Sequence, residues 1–210
     1  MSSTDSNWIR YSQLAASSER IQDYERYQGD LYLHDDWKKA EFILPDQSKI
    51  LVDSVKLNLL RGQVEIHAEG KHLGIRGSQY DQFTFLDDIE RAISYKSKHY
   101  FFVDGVRLPG IVKSMEVGDY GVIVAYDSGV RQVSRENALM IESLKKDIVR
   151  VTKLRFIEKD GALTRIKSKK DLHRFFNNSK EIKNYIKKNK LSHKEEADIA
   201  QVLLHFQSNG

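Results

Sequence analysis

Few residues of this chain are spaced for chemistry, and each grouping has a plainer competitor. His34-Asp35-Asp36 offers an imidazole and two carboxylates to a cation, a donor set that metal ions accept. Neighbours on an extended chain point to opposite sides, however, and no second ligand cluster accompanies them, so a solvated loop leading into a sheet is the plainer reading. Asp87-Asp88 with Glu90 supplies the acids of a glycosidase pair, but the separation of two catalytic carboxyls is set by the fold rather than by adjacency. His67, His72 and His99 fall in or beside expected strands at no zinc-site spacing, and read as surface-facing strand histidines. Gly70, Gly74 and Gly77 form the one glycine group to weigh as a phosphate loop; lacking a Lys-Ser/Thr ending and a following helix, they read as turns. The chain has no Gly-x-Ser-x-Gly nucleophile elbow. It also has no cysteine, which excludes disulfides, thiolate metal sites and a cysteine nucleophile. No catalytic, metal-binding or cofactor-binding residue is assigned, and no cofactor is implied.

The basic C-terminal stretch carries the strongest functional signal. From Arg165 to Lys194 there are eleven Lys and Arg against two acids, Asp171 and Glu181, so this segment holds about +9 and the remainder about −5. Lys180, Lys183, Lys187, Lys188 and Lys190 are candidates for polyanion binding, in which cations displace counterions from phosphates. Against this, Glu195, Glu196 and Asp198 open the last expected helix with the wrong sign for a nucleic acid. Acids there complement a helix dipole, so a solvated basic face on a helical cap competes with the binding reading.

The elements that must position these groups are strands first and helices last. From Tyr32 to Phe85 apolar and polar residues alternate between turn residues: Ala40, Phe42 and Leu44, then Val55, Leu57 and Leu59, then Val64, Ile66 and Ala68 each share a side. A period of two over successive segments predicts a β-meander with one apolar face, in about six short strands. Further strands are expected at 93–95, 100–103, 111–117 and 121–126, with a hairpin loop at Val117-Gly118-Asp119-Tyr120. Segments 148–157 and 162–166 flank Lys159-Asp160-Gly161, and Asp-Gly between β-branched residues is a hairpin signal. A short helix or a mobile loop is expected near 137–144. At Ser168 the period changes: Leu172, Phe175 and Phe176, then Ile182, Tyr185 and Ile186, then Ile199, Val202, Leu203 and Phe206 follow helical spacing. Ser168, Ser179 and Ser192 read as N-caps, the last with Glu195 as a capping box. The aromatic residues of these helices are expected to dock them on the sheet. Before Tyr32, a weak helix is expected from Ser17 or Ser18 through Ile21 and Tyr24 to Gly29.

The 210 residues include 40% hydrophobic and 30% charged side chains, a mean hydropathy of −0.55 and a net charge of +4. That is enough apolar material for one core, and no run approaches the roughly 18 apolar residues of a membrane span. The opening Met1-Ser-Ser-Thr-Asp-Ser is polar and lacks the apolar centre of a signal peptide. A cytoplasmic chain and one whose leader has been removed both remain open.

Three stretches together resemble an uncharacterised family of exported or envelope β-rich proteins from Bacteroidetes. They are Tyr32-Leu33-His34-Asp35-Asp36-Trp37 ahead of the meander, Ile166-Lys167-Ser168-Lys169-Lys170-Asp171-Leu172 at the change to helix, and Tyr185-Ile186-Lys187-Lys188-Asn189-Lys190-Leu191-Ser192 followed by Glu195-Glu196. The similarity spans roughly Gly29 to Phe206. It implies a periplasmic, outer-membrane-associated or secreted protein whose leader is not part of this sequence, and it brings no catalytic or ligand-binding residue.

The expected fold is α+β, mainly antiparallel: a polar arm over 1–31, a β domain of curved meander sheets over 32–166, and a basic three-helix cap over 167–210 packed on the β domain. The favoured function is a non-enzymatic secreted or envelope protein acting as an interaction platform for another protein or envelope component. The alternatives are a cytoplasmic nucleic-acid-binding protein acting through the basic helices, and a hydrolase with a carboxylate site.

Overall fold

The computed structural model describes residues 19–20, 27–68, 71–97, 102–103, 106–108, 111–131 and 146–209. Its strands, in chain order, are β1 (Glu19–Arg20), β2 (Tyr27–Gly29), β3 (Lys38–Ile43), β4 (Lys49–Asn58), β5 (Gln63–Ala68), β6 (Lys71–Ile75), β7 (Gln82–Phe85), β8 (Ile93–Lys96), β9 (Phe102–Val103), β10 (Val106–Arg107), β11 (Val112–Val117), β12 (Tyr120–Arg131), β13 (Asp147–Lys159) and β14 (Ala162–Arg165). Three helices follow: α1 (Lys169–Phe175), α2 (Lys180–Lys188) and α3 (Glu196–Asn209). The large sheet runs β1-β6-β5-β4-β3-β7-β8-β11-β12-β13-β14, antiparallel throughout, with β2 added in parallel to β13. The α+β class and the mainly antiparallel sheet agree with the sequence reading. None of the described helices is long and apolar enough to cross a membrane.

The alternation read from sequence is the sheet's inner face. Ala40, Phe42, Val55, Leu57, Val64 and Ile66 are all at most 1% exposed. One row crosses seven strands through directly opposed residues: Ile50, Phe42, Phe83, Tyr95, Lys113, Val124 and Arg155. Its aromatic part is stacked, with ring centroids 5.2 Å apart for Phe42–Phe83 and 5.1 Å for Phe83–Tyr95. A second cluster joins Val117, Tyr120, Val122 and Ile157 of the sheet to Leu172, Phe176, Ile182, Ile186, Ile199, Val202 and Leu203 of the helices. Tyr120 meets Phe175 and Phe206 edge-on, so these aromatics dock the helices as expected. On the reverse face of β11–β13, Val112, Ile123, Ala125 and Phe156 pack under Leu108 in a third cluster.

The segment 27–33 ties distant strands together. Tyr27, Gln28 and Gly29 pair with Asp147, Ile148 and Val149 of β13, while Leu33 N–H donates to Leu57 and Leu59 N–H to Leu31. Tyr32 also bridges Asn58. Among the described residues the ladder ends at β1 and β14, yet this strap draws β4 towards β13, and the Ser128 hydroxyl reaches the Leu60 carbonyl at 3.1 Å. Gly29 makes the approach possible: it has φ of 103°, and a Cβ there would sit 2.4 Å from the Val149 carbonyl oxygen.

Several expectations are corrected. Between Tyr32 and Phe85 there are five strands, not six, because Tyr32 contributes only an isolated bridge. The described parts of the expected N-terminal helix, residues 19–20 and 27–29, are strand, since they complete ladders on β6 and β13; Ser17, Ser18, Ile21 and Tyr24 lie outside the described residues, as do 137–144 and His99. Ser168 and Ser179 cap their helices, accepting from Asp171 N–H at 3.3 Å and Ile182 N–H at 3.5 Å. Ser192 does not form a box with Glu195. Instead Asp198 accepts from the Ser192 N–H at 2.8 Å, and the helix starts later, at Glu196.

Candidate functional site

The sheet's outer face at β4–β6 carries a close polar and aromatic grouping. Registers place Lys56 opposite Glu65, Asn58 opposite Gln63, and His67 opposite His72. Because Val55, Leu57, Val64 and Ile66 point inward, these polar residues project the other way. The strap and the stretch after it then cover them. As a result Glu65 is fully buried, at 0% exposure.

A buried carboxylate needs donors for its oxygens, and Glu65 has three. Tyr32 Oη–H donates to Oε2 at 3.0 Å, His72 Nε2–H donates to Oε2 at 2.8 Å, and Asn58 Nδ2–H donates to Oε1 at 2.6 Å. A carboxylate that only accepts requires a hydrogen on His72 Nε2, which in the neutral form of the ring leaves Nδ1 as the acceptor. Trp37, 37% exposed, lies over this arrangement, its ring centroid 5.0 Å from that of His72 and 6.0 Å from that of His67. Lys56 Nζ sits 4.8 Å from the Tyr32 ring centroid and 5.3 Å from that of Trp37, within cation–π range of both. The arrangement can hold a ligand by stacking and hydrogen bonding, on a base whose polar groups are already fixed.

Sequence reasoning placed His67 and His72 on the surface and missed what lies beneath them. His67 is exposed and His72 partly so; the second is an oriented group rather than a bystander. Glu65 alternates with Val64 and Ile66 as an outward strand residue should, and its cover comes from Tyr32, 33 positions earlier. The one available signal was the aromatic pair Tyr32 and Trp37 flanking a polar loop.

The other groupings come apart. His34 turns its ring edge-on to Phe85 at 5.3 Å, while Asp35 and Asp36 are exposed. Burial first, then Lys38, lowers the His34 pKa, which suits a neutral core imidazole. Asp87 pairs with Lys38 at 2.8 Å, and that hydrogen bond holds its carboxyl below the usual range, the wrong direction for a general acid. Asp88 instead accepts from Tyr95 Oη–H at 3.0 Å. Among the described residues no three His, Asp or Glu side chains converge to hold a metal. Gly74 is a strand residue with the Gln63 side chain laid against it, and Gly77 opens a single 3-10 turn.

The helical cap separates its charges. Ile182 and Ile186 of α2 are buried, Lys180, Lys187, Lys188 and the following Lys190 are exposed, and Lys183 lies on the flank, partly covered. The acids at the start of α3 are drawn inward. Glu196 meets Lys113 at 3.5 Å, Lys153 at 3.8 Å and Arg155 at 3.9 Å, which compensates two cations that the sheet points into the interior. Asp198 is held by the Ser192 N–H. Burial first, then the charge of Glu196, raises the pKa of Tyr126. No known protein family, characterised protein or solved structure matches the chain.

Proposed function

We propose that this is a non-enzymatic binding protein of the cell envelope or extracellular medium, and that the outer face of β4–β6 is its platform for another protein or an envelope component. The observation that carries the reading is Trp37: a large aromatic side chain 37% exposed on a sheet face, flanked by two imidazoles and Lys56 above a fully buried carboxylate. A rigid aromatic with satisfied polar neighbours loses little on binding, which is how anchor residues work. The envelope location follows the sequence resemblance. Its test is fractionation of the native cells with intact-mass analysis of the recovered chain: envelope or medium with a processed N-terminus agrees, and cytoplasmic recovery with Met1 retained contradicts it.

A second reading is favoured by one feature, the inward turn of Glu196 and Asp198. Two of the three acids that argued against a polyanion at this cap are occupied internally, with Glu195 still exposed, and Lys180, Lys187, Lys188 and Lys190 lie on an exposed surface with Lys183 at its flank. On this reading the protein binds nucleic acid electrostatically. Binding of a mixed-sequence oligonucleotide then weakens by about a thousandfold between 50 and 200 mM salt if six or more phosphates are contacted, and is lost when Lys180, Lys187, Lys188 and Lys190 are changed to Glu. Salt-insensitive binding, or no binding at 50 mM salt, removes it.

A further inference from the structure

We infer that His67 and His72 form a two-imidazole site for a divalent transition-metal ion of the borderline class that favours nitrogen ligands, Cu2+, Ni2+ or Zn2+. The inference deepens the platform reading by naming what that face holds.

Three observations carry it. First, the two histidines are directly opposed in the antiparallel β5–β6 ladder. Cβ atoms of such a pair lie about 4.5–5.5 Å apart on one face, a span over which two imidazoles reach one ion with metal–nitrogen bonds of about 2.0–2.1 Å. Second, His72 is oriented as a ligand. Its Nε2–H is held at 2.8 Å by Glu65, itself fixed by Tyr32 and Asn58. A carboxylate bonded to one ring nitrogen fixes the ring and its tautomer and leaves the other nitrogen as the donor, as the second shell of metal sites does. Third, the one carboxylate of the group is already engaged, by His72, Tyr32 and Asn58, and lies opposite Lys56, so it offsets that lysine and serves as an outer partner of His72. No three-residue group converges here among the described residues, and the remaining coordination positions fall to water or to a donor from the bound partner. Imidazole nitrogens select borderline ions over Mg2+ or Ca2+.

Trp37, with its ring 5.0 and 6.0 Å from the two imidazoles, is a built-in reporter. The experiment is a Cu2+ titration of the full chain carrying Trp8→Phe, followed by tryptophan emission, with the chelator EDTA added afterwards. The expected result is saturable quenching at one equivalent, reversed by EDTA. His67→Ala, on an exposed side chain that leaves the core untouched, raises the half-saturation concentration at least tenfold. Glu65→Gln raises it about tenfold through the loss of orientation; because this residue is buried, its result counts only where circular dichroism matches the parent. Histidine ring resonances give a second measurement: Zn2+ shifts those of His67 and His72 before any others. Quenching with the same half-saturation in His67→Ala, or Zn2+ shifts spread over all the histidines, overturns the site. Failure here leaves the platform reading standing, since cross-linking from the same face is read without metal.

Discussion

At the scale of single residues, the chain places two carboxylates where strand alternation alone would not. Glu65 is fully buried with three donors, and Glu196 is partly buried among three cations. Such groups contribute little net stability when matched and cost much when one partner is removed. Tyr32→Phe, which takes one donor from Glu65 and leaves the ring, is expected to lower unfolding stability by about 1–2 kcal/mol in urea denaturation. An unchanged midpoint would mean that the phenol is not needed. His34 sets a second expectation. Its pKa is lowered, so the unfolded chain takes up a proton at higher pH than the folded one. The contribution to stability is present above the ordinary value of 6.5 and is lost as pH falls through and below it. Urea midpoints measured at pH 7.5 and 5.5 are expected to fall with acid, and His34→Gln to reduce that fall. His173 and His193, also lowered by burial and by nearby lysines, act in the same direction.

At the scale of elements, what was legible in sequence was what neighbours along the chain decide. Ala40, Phe42, Val55, Leu57, Val64 and Ile66 announce their inner face by period two, and all are buried. Asp160 and Gly161 announce a hairpin, and both have positive φ, 51° and 78°. Ser168 and Ser179 announce helix starts. Contacts made across the chain were not legible. The strap at 27–33 reads as the end of a polar arm because its hydrogen bonds go to residues 57–59 and 147–149. β12 extends to Arg131, beyond the expected end at Tyr126, because its last residues are exposed and lose the apolar signature while pairing with β13. The candidate site depends on that strap, which is why its two histidines were visible and its arrangement was not. Two expectations belong to this scale. Glu196→Ala leaves Lys113 and Arg155 facing the interior uncompensated, and is expected to cost about 3 kcal/mol; a loss under 0.5 kcal/mol would show that solvent replaces the carboxylate. Lys190 follows α2 with φ of 54°, where a side chain is strained. Lys190→Gly is expected to raise stability by about 1 kcal/mol, read as a higher thermal midpoint.

At the scale of the whole molecule, the sheet carries two different surfaces. The helices place a basic surface over one end, while the aromatic and imidazole face lies on β4–β6, whose charges are nearly balanced, Lys49, Lys56 and Lys71 against Asp53 and Glu65. The two surfaces assign different partners, one polyanionic and one engaged by stacking and hydrogen bonds, and the central claim is that the second is the functional one. The most direct test is photo-cross-linking in the native cells from a reactive side chain at position 53. Asp53 projects from β4 on the outer face, is exposed, and pairs there with the exposed Lys39. The account predicts a discrete adduct from position 53 that disappears when Trp37→Ala is added, and none from position 188 on α2. An adduct that survives Trp37→Ala, or adducts formed from position 188 alone, would contradict it.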